Sequence, residues 1–245
     1  MQLLKCELGT IPMRKEPTDR SEMISQMIFG ETAELLDQNE KWMMVRTQFD
    51  HYEGWVDKKQ LVACQDEQQS TMITSLFAQI TDGHESKVIP AGSYIDPSHS
   101  KFEMKSGEKG TTLEYNAASL ENTAMMFLGS PYLWGGRTFA GIDCSGFTQI
   151  VFKLHGKKIR RDAWQQSEQG EAVTFIEEAQ SGDLAFFDNA DGKIIHVGII
   201  FRTKNNDIEI IHASGKVRCD ALDHQGIFKR ETGEYTHQLR IIKRI

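Results

Sequence analysis

The sequence of 245 residues lacks a long apolar run. A membrane-spanning helix needs about 20 consecutive apolar residues, so we expect no transmembrane segment. The residues after Met1 also lack the apolar stretch of a secretory signal peptide. Cys6 superficially suggests a lipid-attachment site, but Lys5 stands where that site has a small residue. We therefore predict a cytoplasmic protein; the alternative is a periplasmic or cell-envelope protein whose leader is missing from this sequence.

Cysteine is scarce as well, with four residues at positions 6, 64, 144 and 219. None lies at metal-ligand spacing from another, and there is no C-x-x-C motif. Two disulfides could form by arithmetic alone, but nothing else indicates a small disulfide-linked scaffold, so we predict free thiols. The spacings of a zinc site, a phosphate-binding loop and a dinucleotide fold are also absent, and we expect no metal or cofactor.

An excess of basic residues is missing too. The formal net charge is −7, which disfavours a nucleic-acid-binding protein because phosphate recognition needs a basic face. Hydrophobic residues make up 39% of the chain and charged residues 26%, as in a soluble globular protein with a substantial core. The length suits one large domain or two to three small ones.

Residues 1–64 contain short strand-like runs separated by turns. Examples are Ile24–Phe29, Trp42–Val45 and Gly54–Val56, and this spacing predicts a small antiparallel barrel. The region resembles a bacterial SH3-like module. The matching segments are Ile11–Pro17, Ser21–Met23, Phe29–Glu31, Lys41–Val45 and Tyr52–Val56.

Residues 65–112 give a weaker pattern. The polar segment 65–70 is typical of a linker, whereas Val88–Ile95 and Gly107–Gly110 indicate a strand and a turn. Two interpretations stay open for this region, a second and reduced SH3-like domain or a decorated linker.

Residues 113–245 show a helical pattern followed by strands. One helical face carries apolar residues up to Gly129, namely Leu120, Ala124, Phe127 and Leu128. A second helix is predicted from Cys144 to His155. The predicted strands are Leu184–Phe187, Ile194–Phe201, Ile208–His212 and Leu239–Ile245. Helices followed by antiparallel strands indicate an α+β domain.

Cys144 stands where a glycine-containing loop meets the second predicted helix. A thiol at a helix N-terminus faces unpaired amide hydrogens and the positive end of the helix dipole. These features lower the pKa of a thiol and favour the thiolate, which attacks carbonyl groups. Backbone amides beside Cys144 can also donate to an oxyanion. We therefore predict that Cys144 is a nucleophile and treat Cys6, Cys64 and Cys219 as structural.

A thiol nucleophile needs a base and a group that orients the base. Alternation along the strand Ile195–Ile200 places His196 and Gly198 on one face, so the glycine leaves room beside the imidazole. His212, on the next predicted strand, is placed to hold the His196 ring by a hydrogen bond. We predict His196 as the base and His212 as its orienting partner, and assign no role to the other histidines, which include His155 and His237.

Five ordered motifs in the C-terminal half resemble those of the NlpC-type cell-wall cysteine peptidases. They are Pro131–Gly136, Asp143–Gly146, Gly182–Leu184, His196–Gly198 and His212–Ala213. The resemblance implies a papain-like domain over residues 113–245, preceded by small all-β SH3-like barrels. It also implies a Cys–His–His set that cleaves peptidoglycan stem peptides, with Tyr132 beside the cysteine to help hold the oxyanion.

A narrower resemblance concerns the branch of this family that carries SH3-like domains. It assigns a specificity aspartate to Asp162 and a tyrosine of the first barrel to Tyr52. Together with Ser145, these groups would bind the free amino group of an N-terminal L-alanine, since a carboxylate and polar oxygens compensate an ammonium that leaves water. Glu22 is a weaker candidate for the same cluster, and Trp134 and Arg137 are expected to line or support the cleft.

The sequence therefore predicts a γ-D-glutamyl-L-diamino acid endopeptidase. It would hydrolyse murein peptides of the form L-Ala-γ-D-Glu-diamino acid during peptidoglycan recycling. Three alternatives stay open: an exported hydrolase of intact wall, a non-catalytic wall-binding module, and an acyltransferase.

Overall fold

The structure, a computed structural model, describes residues 2–64, 71–96 and 101–245. The polar segment 65–70, predicted as a linker, lies outside the described residues. The chain divides into two compact units. The first unit comprises residues 1–113 and 133–141, and the second comprises residues 114–132 and 142–245.

The first unit begins with a seven-stranded antiparallel sheet in the order β3-β2-β6-β5-β4-β1-β7. All seven strands contribute to one apolar core, which includes Leu4, Met13 and Val56, so the sheet must curl around it. Strand β2 shows how one face of the sheet is buried, because successive side chains point to opposite faces: Ile11 and Met13 are buried, while Thr10 is exposed. The strands are β1 (Leu3–Cys6), β2 (Thr10–Arg14), β3 (Met23–Ile28), β4 (Thr32–Gln38), β5 (Trp42–Thr47), β6 (Glu53–Asp57) and β7 (Leu61–Cys64).

The rest of the first unit contains two three-stranded sheets with a core of their own. The sheet orders are β10-β9-β12 and β11-β8-β13. Ile73, Ile80 and Ile89 pack together in this core, and the ring of Phe102 meets Phe29 edge to face at 5.2 Å. That these sheets form a second SH3-like barrel stays a prediction. The strands are β8 (Thr71–Ile73), β9 (Phe77–Thr81), β10 (Ser86–Pro90), β11 (Tyr94–Ile95), β12 (Glu103–Ser106) and β13 (Lys109–Gly110).

The second unit contains three helices and a seven-stranded antiparallel sheet in the order β16-β22-β17-β18-β19-β20-β21. An additional pairing of β21 with β22 closes six of these strands into a ring. The helices are α1 (Ala117–Met125), α2 (Cys144–Leu154) and α3 (Ala163–Ser167). The strands of the sheet are β16 (Glu171–Val173), β17 (Leu184–Asp188), β18 (Ile194–Arg202), β19 (Ile208–Ser214), β20 (Lys216–Leu222), β21 (Gly226–Lys229) and β22 (Glu234–Arg244). Two short strands, β14 (Arg137–Thr138) and β15 (Gly141–Ile142), pair with each other.

The first helix is shorter than its apolar pattern predicted. It begins after the N-cap Asn116 and ends at Met125, and Leu128 lies past the end with 40% of its surface exposed. The apolar face is therefore carried by Leu120 and Ala124, which are buried. None of the helices in the part of the chain that the structure describes is long and apolar enough to cross a membrane.

Helix α2 is buried along its whole length, beyond the apolar stripe that the sequence predicted. It packs against β18 and β19 as well as against the other two helices, so its polar side chains are enclosed too. These buried polar side chains form hydrogen bonds. Thr148 Oγ1 donates to Gln166 Oε1 at 2.8 Å, and Gln149 Nε2 donates to the carbonyl of Ile159 at 3.2 Å. The first residue of this helix is Cys144, whose position is thereby fixed by the core.

Candidate active site

Cys144, the predicted nucleophile, is the first residue of α2, and 6% of its surface is exposed. The preceding residue, Asp143, caps the helix because its Oδ1 accepts the amide hydrogen of Gly146 at 2.6 Å. Helix α2 packs against β18, and the backbone amides of Ser145 and Val197 act on the Cys144 thiol by lowering its pKa. Since Val197 follows His196 in β18, the nucleophile lies against the strand that carries the predicted base.

The thiol of Cys144 is not the activated thiolate that its place at a helix N-terminus predicted. Burial raises its pKa from the ordinary 9.0 to about 12, with the charge of Asp143 as a second cause in the same direction. The amides of Val197 and Ser145 and the guanidinium of Arg161 lower the pKa, but they do not outweigh the loss of hydration. The resting site therefore holds a neutral thiol, which must lose its proton as it attacks.

His196 and His212 are joined by a direct hydrogen bond between buried rings. His196 Nε2 lies 2.8 Å from His212 Nδ1, and the two rings meet edge to face. Strands β18 and β19 place them there, because Gly198 is the register partner of His212. A β-carbon on Gly198 would lie 2.7 Å from the side chain of Ile210 and 2.8 Å from His212 Cβ, so the glycine makes room for these two residues more than for His196.

The pKa of His196 lies well below its ordinary 6.5. Burial is the main cause, and the neighbouring rings of His212 and His237 add to it. The imidazole is therefore neutral at physiological pH and is available to accept a proton. A neutral thiol beside a neutral imidazole is the starting state for general-base catalysis.

The hydrogen-bond chain continues beyond His212 to two residues that sequence reasoning missed. His212 Nε2 lies 3.0 Å from Asp220 Oδ2, and Arg218 holds the same carboxylate through Nε and through Nη2, the latter at 2.8 Å from Oδ1. Asp220 is 3% exposed. Both residues lie on β20, which the sequence analysis did not predict as a strand. Alternation along β20 places them on one face and was the available indication.

His237, to which the sequence analysis assigned no role, stacks on the ring of His196. The ring centroids are 4.3 Å apart and the rings are inclined by 24°. Burial lowers the pKa of His237 from 6.5 to about 4, with His212 as a further cause and Asp220 opposing it. His237 was missed because β22 begins at Glu234, not at Leu239 as predicted.

Tyr132 lines an open depression of about 240 Å³ beside the histidines. Its backbone amide donates to the carbonyl of Gly215 at 3.0 Å, which fixes the residue next to the end of β19. The pKa of its hydroxyl is raised, first by burial and then by the charges of Cys144 and Asp143. The hydroxyl therefore keeps its proton and can act as a hydrogen-bond donor. The other residues lining the depression are Ile195, His196, Ala213, Ser214, Gly215 and His237.

A buried ion pair stands directly beside the nucleophile. Arg161 binds Asp143 through two contacts, Nη2 to Oδ2 at 2.6 Å and Nη1 to Oδ1 at 3.1 Å. Its Nη1 also donates to Ser145 Oγ at 2.9 Å. Because both charged side chains are almost fully buried, the guanidinium neutralises the carboxylate next to Cys144.

Two predicted substrate-binding residues, Ser145 and Asp162, lie in the second unit. Ser145 is buried and its hydroxyl donates to Asp143 Oδ1 at 3.3 Å. Asp162 is half-buried and is the N-cap of α3, where Gln165 Oε1 accepts its amide hydrogen at 3.1 Å in a capping box. Asp162 thus has a structural role as a cap, and its role in substrate binding stays a prediction.

The predicted site residues of the first unit are Tyr52, Trp134, Glu22 and Arg137. Tyr52 packs against the core of the barrel. Trp134 is 59% exposed and donates through Nε1 to Glu22 Oε1 at 2.8 Å. Their part in the site stays a prediction.

Arg137 is buried, so within the first unit it supports the segment 133–141 and does not line a surface. It forms an ion pair with Glu31 at 2.8 Å and binds the backbone carbonyl of Gln26 at 2.7 Å. The amide of Arg137 donates in addition to Gln26 Oε1 at 2.8 Å. These bonds fix the segment 133–141 to β3 and the turn after it.

No group of three or more histidine, cysteine, aspartate or glutamate side chains among residues 2–64, 71–96 and 101–245 is arranged to hold a metal ion. The geometry instead combines a buried thiol, an imidazole and a second imidazole tied to a carboxylate. This combination is the general arrangement of a cysteine nucleophile with an oriented base.

A model of the NlpC/P60 family matches residues 129–236, which include Cys144, His196 and His212. This chain carries an NlpC/P60 peptidase domain. A second model, described as a bacterial dipeptidyl-peptidase SH3 domain, matches residues 13–61. The predicted cysteine peptidase and the predicted SH3-like region before it are thereby confirmed, and the protein is an enzyme of the cell-wall hydrolase class.

Two curated relatives of this NlpC/P60 peptidase bear the same name, gamma-D-glutamyl-L-lysine dipeptidyl-peptidase. The chain is 29% identical to the Bacillus cereus protein over 253 aligned residues, which cover 88% of this chain and 75% of that protein. It is 44% identical to the Bacillus subtilis protein over 96 residues, which cover 38% of this chain and 30% of that protein.

The crystal structure of an NlpC/P60 family protein from Bacillus cereus has the same fold. It superposes with a TM-score of 0.80 at 22% identity and covers 99% of both chains. The predicted fold, a papain-like α+β domain preceded by a small all-β SH3-like region, is confirmed.

Proposed function

We propose that this peptidase hydrolyses the γ-D-glutamyl–diamino acid bond of murein peptides that carry a free N-terminal L-alanine. The proposal is carried by buried Cys144 and the hydrogen-bonded pair of buried histidines His196 and His212, together with relatives named gamma-D-glutamyl-L-lysine dipeptidyl-peptidase. A dipeptidyl-peptidase, by the meaning of the word, releases a dipeptide from a free N-terminus. The corresponding product here is L-Ala-γ-D-Glu.

The proposed reaction begins with attack of the Cys144 sulfur on the γ-carbonyl carbon of D-glutamate. The thiol proton moves to His196 as the carbon–sulfur bond forms, because both partners are neutral before attack. The hydroxyl of Tyr132 and a backbone amide beside Cys144 stabilise the oxyanion. His196 then gives the proton to the leaving amino group of the diamino acid, and the carbon–nitrogen bond breaks.

The second half of the reaction releases the dipeptide from a thioester. Water attacks the acyl-enzyme while His196 accepts one of its protons, and that proton returns to the departing sulfur of Cys144. The ring of His212 holds His196 in place through both steps. The products are L-Ala-γ-D-Glu and the free diamino acid, with water as the only co-reactant.

Selection for a free amino group is proposed to involve Asp162 and Ser145 of the second unit. A hydroxyl has one donor and two acceptor positions, and Ser145 donates to Asp143 while accepting from Arg161. One acceptor position of Ser145 therefore remains for an ammonium. The positive charge of Arg161 does not prevent this, because its bidentate pair with Asp143 neutralises it locally.

The experiment that tests the proposal compares two peptides by mass spectrometry of the products. One peptide is L-Ala-γ-D-Glu-diaminopimelate with a free amino group, and the other is the same peptide acetylated on that group. We expect cleavage of the free peptide alone, abolished in Cys144→Ala and preserved in the matched control Cys219→Ala, whose thiol is exposed.

Other outcomes of the experiment identify the alternatives. Equal cleavage of both peptides contradicts selection by the amino group and favours a hydrolase of intact wall. Transfer of L-Ala-γ-D-Glu to an added amine instead of water identifies an acyltransferase. A cytoplasmic place of action in peptide recycling stays a prediction.

A further inference from the structure

We propose that Asp220 fixes the proton positions on both histidines of the site and thereby makes Nδ1 of His196 the atom that accepts the Cys144 proton. Asp220 is thus a positioning residue, since it acts through His212 and does not touch the substrate. The inference rests on the proposed roles of Cys144 and His196. It adds a carboxylate, held by Arg218, to the set of groups on which the reaction depends.

The first step concerns the charge of Asp220. Burial raises its pKa, but hydrogen bonds from His212 and Arg218 and their charges lower it by more, so the net shift is downward from 3.8. The carboxylate is therefore ionised at neutral pH, and an ionised carboxylate only accepts hydrogen bonds. The 3.0 Å contact with His212 must accordingly carry its hydrogen on His212 Nε2.

The second step transfers this constraint to His196. A neutral imidazole has one N–H, so a hydrogen on His212 Nε2 leaves Nδ1 as an acceptor. The hydrogen in the 2.8 Å contact between the rings must then come from His196 Nε2. Nδ1 of His196 is left with a lone pair, which is the requirement for a general base.

The opposite set of tautomers would inactivate the site. If His212 carried its hydrogen on Nδ1, it would donate to His196 Nε2 and force the His196 hydrogen onto Nδ1. The nitrogen that should accept the thiol proton would then be a donor. Among the residues that the structure describes, the ring nitrogens of His212 form hydrogen bonds only to His196 and Asp220, so without a carboxylate at position 220 no hydrogen bond opposes this arrangement.

The surroundings of Asp220 are built to keep it in place. Arg218 binds both carboxylate oxygens, and Asp220 is 3% exposed, so water does not compete for it. Strand β20 positions the group, because Arg218 is the register partner of His212 and Asp220 follows on the same face of the strand.

The test measures the tautomers directly and the reaction separately. Long-range proton–nitrogen correlation spectra of the imidazole rings, recorded above pH 6.5, report which nitrogen of each ring carries hydrogen. In the wild type we expect His196 and His212 both to be protonated on Nε2. In Asp220→Ala we expect a second population of His196 with hydrogen on Nδ1. Asp220→Asn is nearly isosteric and serves as the second variant if the alanine variant does not fold.

The same variants are expected to lose kcat by about 10- to 100-fold, with KM unchanged because Asp220 does not contact the substrate. This is less than the loss of about 10⁴-fold known when the group that directly orients a catalytic histidine is altered, since Asp220 acts through His212. The rate of Cys144 alkylation by iodoacetamide should fall with kcat, because it also depends on proton transfer to His196.

The matched control is Asp183→Asn, which weakens the ion pair of another buried aspartate with an arginine in the same unit. Asp183 is 2% exposed and its Oδ2 lies 2.7 Å from Arg244 Nη2. It should leave kcat and the His196 tautomer unchanged.

A His196 tautomer unaltered in both Asp220 variants, or an equal loss of kcat in Asp183→Asn, would overturn the proposal. The spectra and the alkylation rate need no peptide, so a failure of the proposed substrate would not be confused with a failure of this inference.

Discussion

Replacing Arg161 by methionine should be among the most damaging single changes in the second unit. The substitution keeps side-chain length but leaves Asp143 as a buried carboxylate without its bidentate partner. Arg161 is 1% exposed and Asp143 is 6% exposed, so water cannot replace the lost contacts. Breaking a buried pair in this way costs about 3–5 kcal/mol of unfolding free energy.

The loss should be recovered in part when the second charge is removed as well. Asp143→Asn with Arg161→Met leaves no buried charge, and an asparagine can still cap α2 by accepting from the amide of Gly146. We expect the double variant to be at least about 2 kcal/mol more stable than Arg161→Met, since replacing both members of a buried pair is often neutral.

The assay is urea unfolding followed in the helical band of far-UV circular dichroism, because α1, α2 and α3 all lie in the second unit. The reactivity of Cys144 gives an independent measure. Arg161 lowers the pKa of this thiol and Asp143 raises it, so alkylation at fixed pH should slow in Arg161→Met and speed up in Asp143→Asn. A single variant within about 1 kcal/mol of the wild type, or a double variant no more stable than the single one, would refute the reasoning.

Three further predictions concern the histidines. The acid limb of the pH profile of kcat/KM should lie well below pH 6.5, because burial and the neighbouring rings lower the pKa of His196. His237→Ala removes the ring stacked on His196 and should move this limb to higher pH. An unmoved limb would contradict the effect of His237 on the pKa of His196. Gly198→Ala should lower kcat at least about 10-fold, since its β-carbon would lie 2.7 Å from the side chain of Ile210 and 2.8 Å from Cβ of His212 and would displace both. Wild-type kinetics would mean that these neighbours yield without moving the His212 ring. Burial lowers the pKa of His155, so the unfolded chain binds the proton at higher pH than the folded chain and stability falls as the pH drops below 6.5. His155→Gln should reduce this loss of stability, measured as the urea midpoint between neutral and acid pH. An unchanged pH dependence would show that other groups cause the loss.

The sequence alone determined the features that depend on a few neighbouring residues. An aspartate followed by a cysteine and a serine fixes a capped helix start, and α2 begins at Cys144 as predicted. Short apolar runs likewise predicted β17, β18 and β19, which are buried at successive positions and therefore on both faces. Two of these predicted strands carry the catalytic histidines, His196 on β18 and His212 on β19.

Residues on polar strands escaped this reasoning. The strand β20 alternates small apolar residues with charged ones but has no run of large apolar residues, and the first part of β22 is mostly polar, so Asp220, Arg218 and His237 were not predicted. They reach the site because β20 pairs with β19 and because β22 closes the ring of strands on β21. Such pairings join residues far apart in the chain, and no local pattern encodes them.

The tertiary structure also decided the electrostatics of the nucleophile. The position of Cys144 at a helix N-terminus, visible in the sequence, favours a low pKa. The depth at which the fold buries α2 opposes this and raises the pKa to about 12. Burial wins because the whole fold removes water from the sulfur, whereas the helix contributes only a few partial charges. The sequence thus determined which residue attacks, and only the packing of the other elements around it decided that the thiol must be deprotonated during the attack.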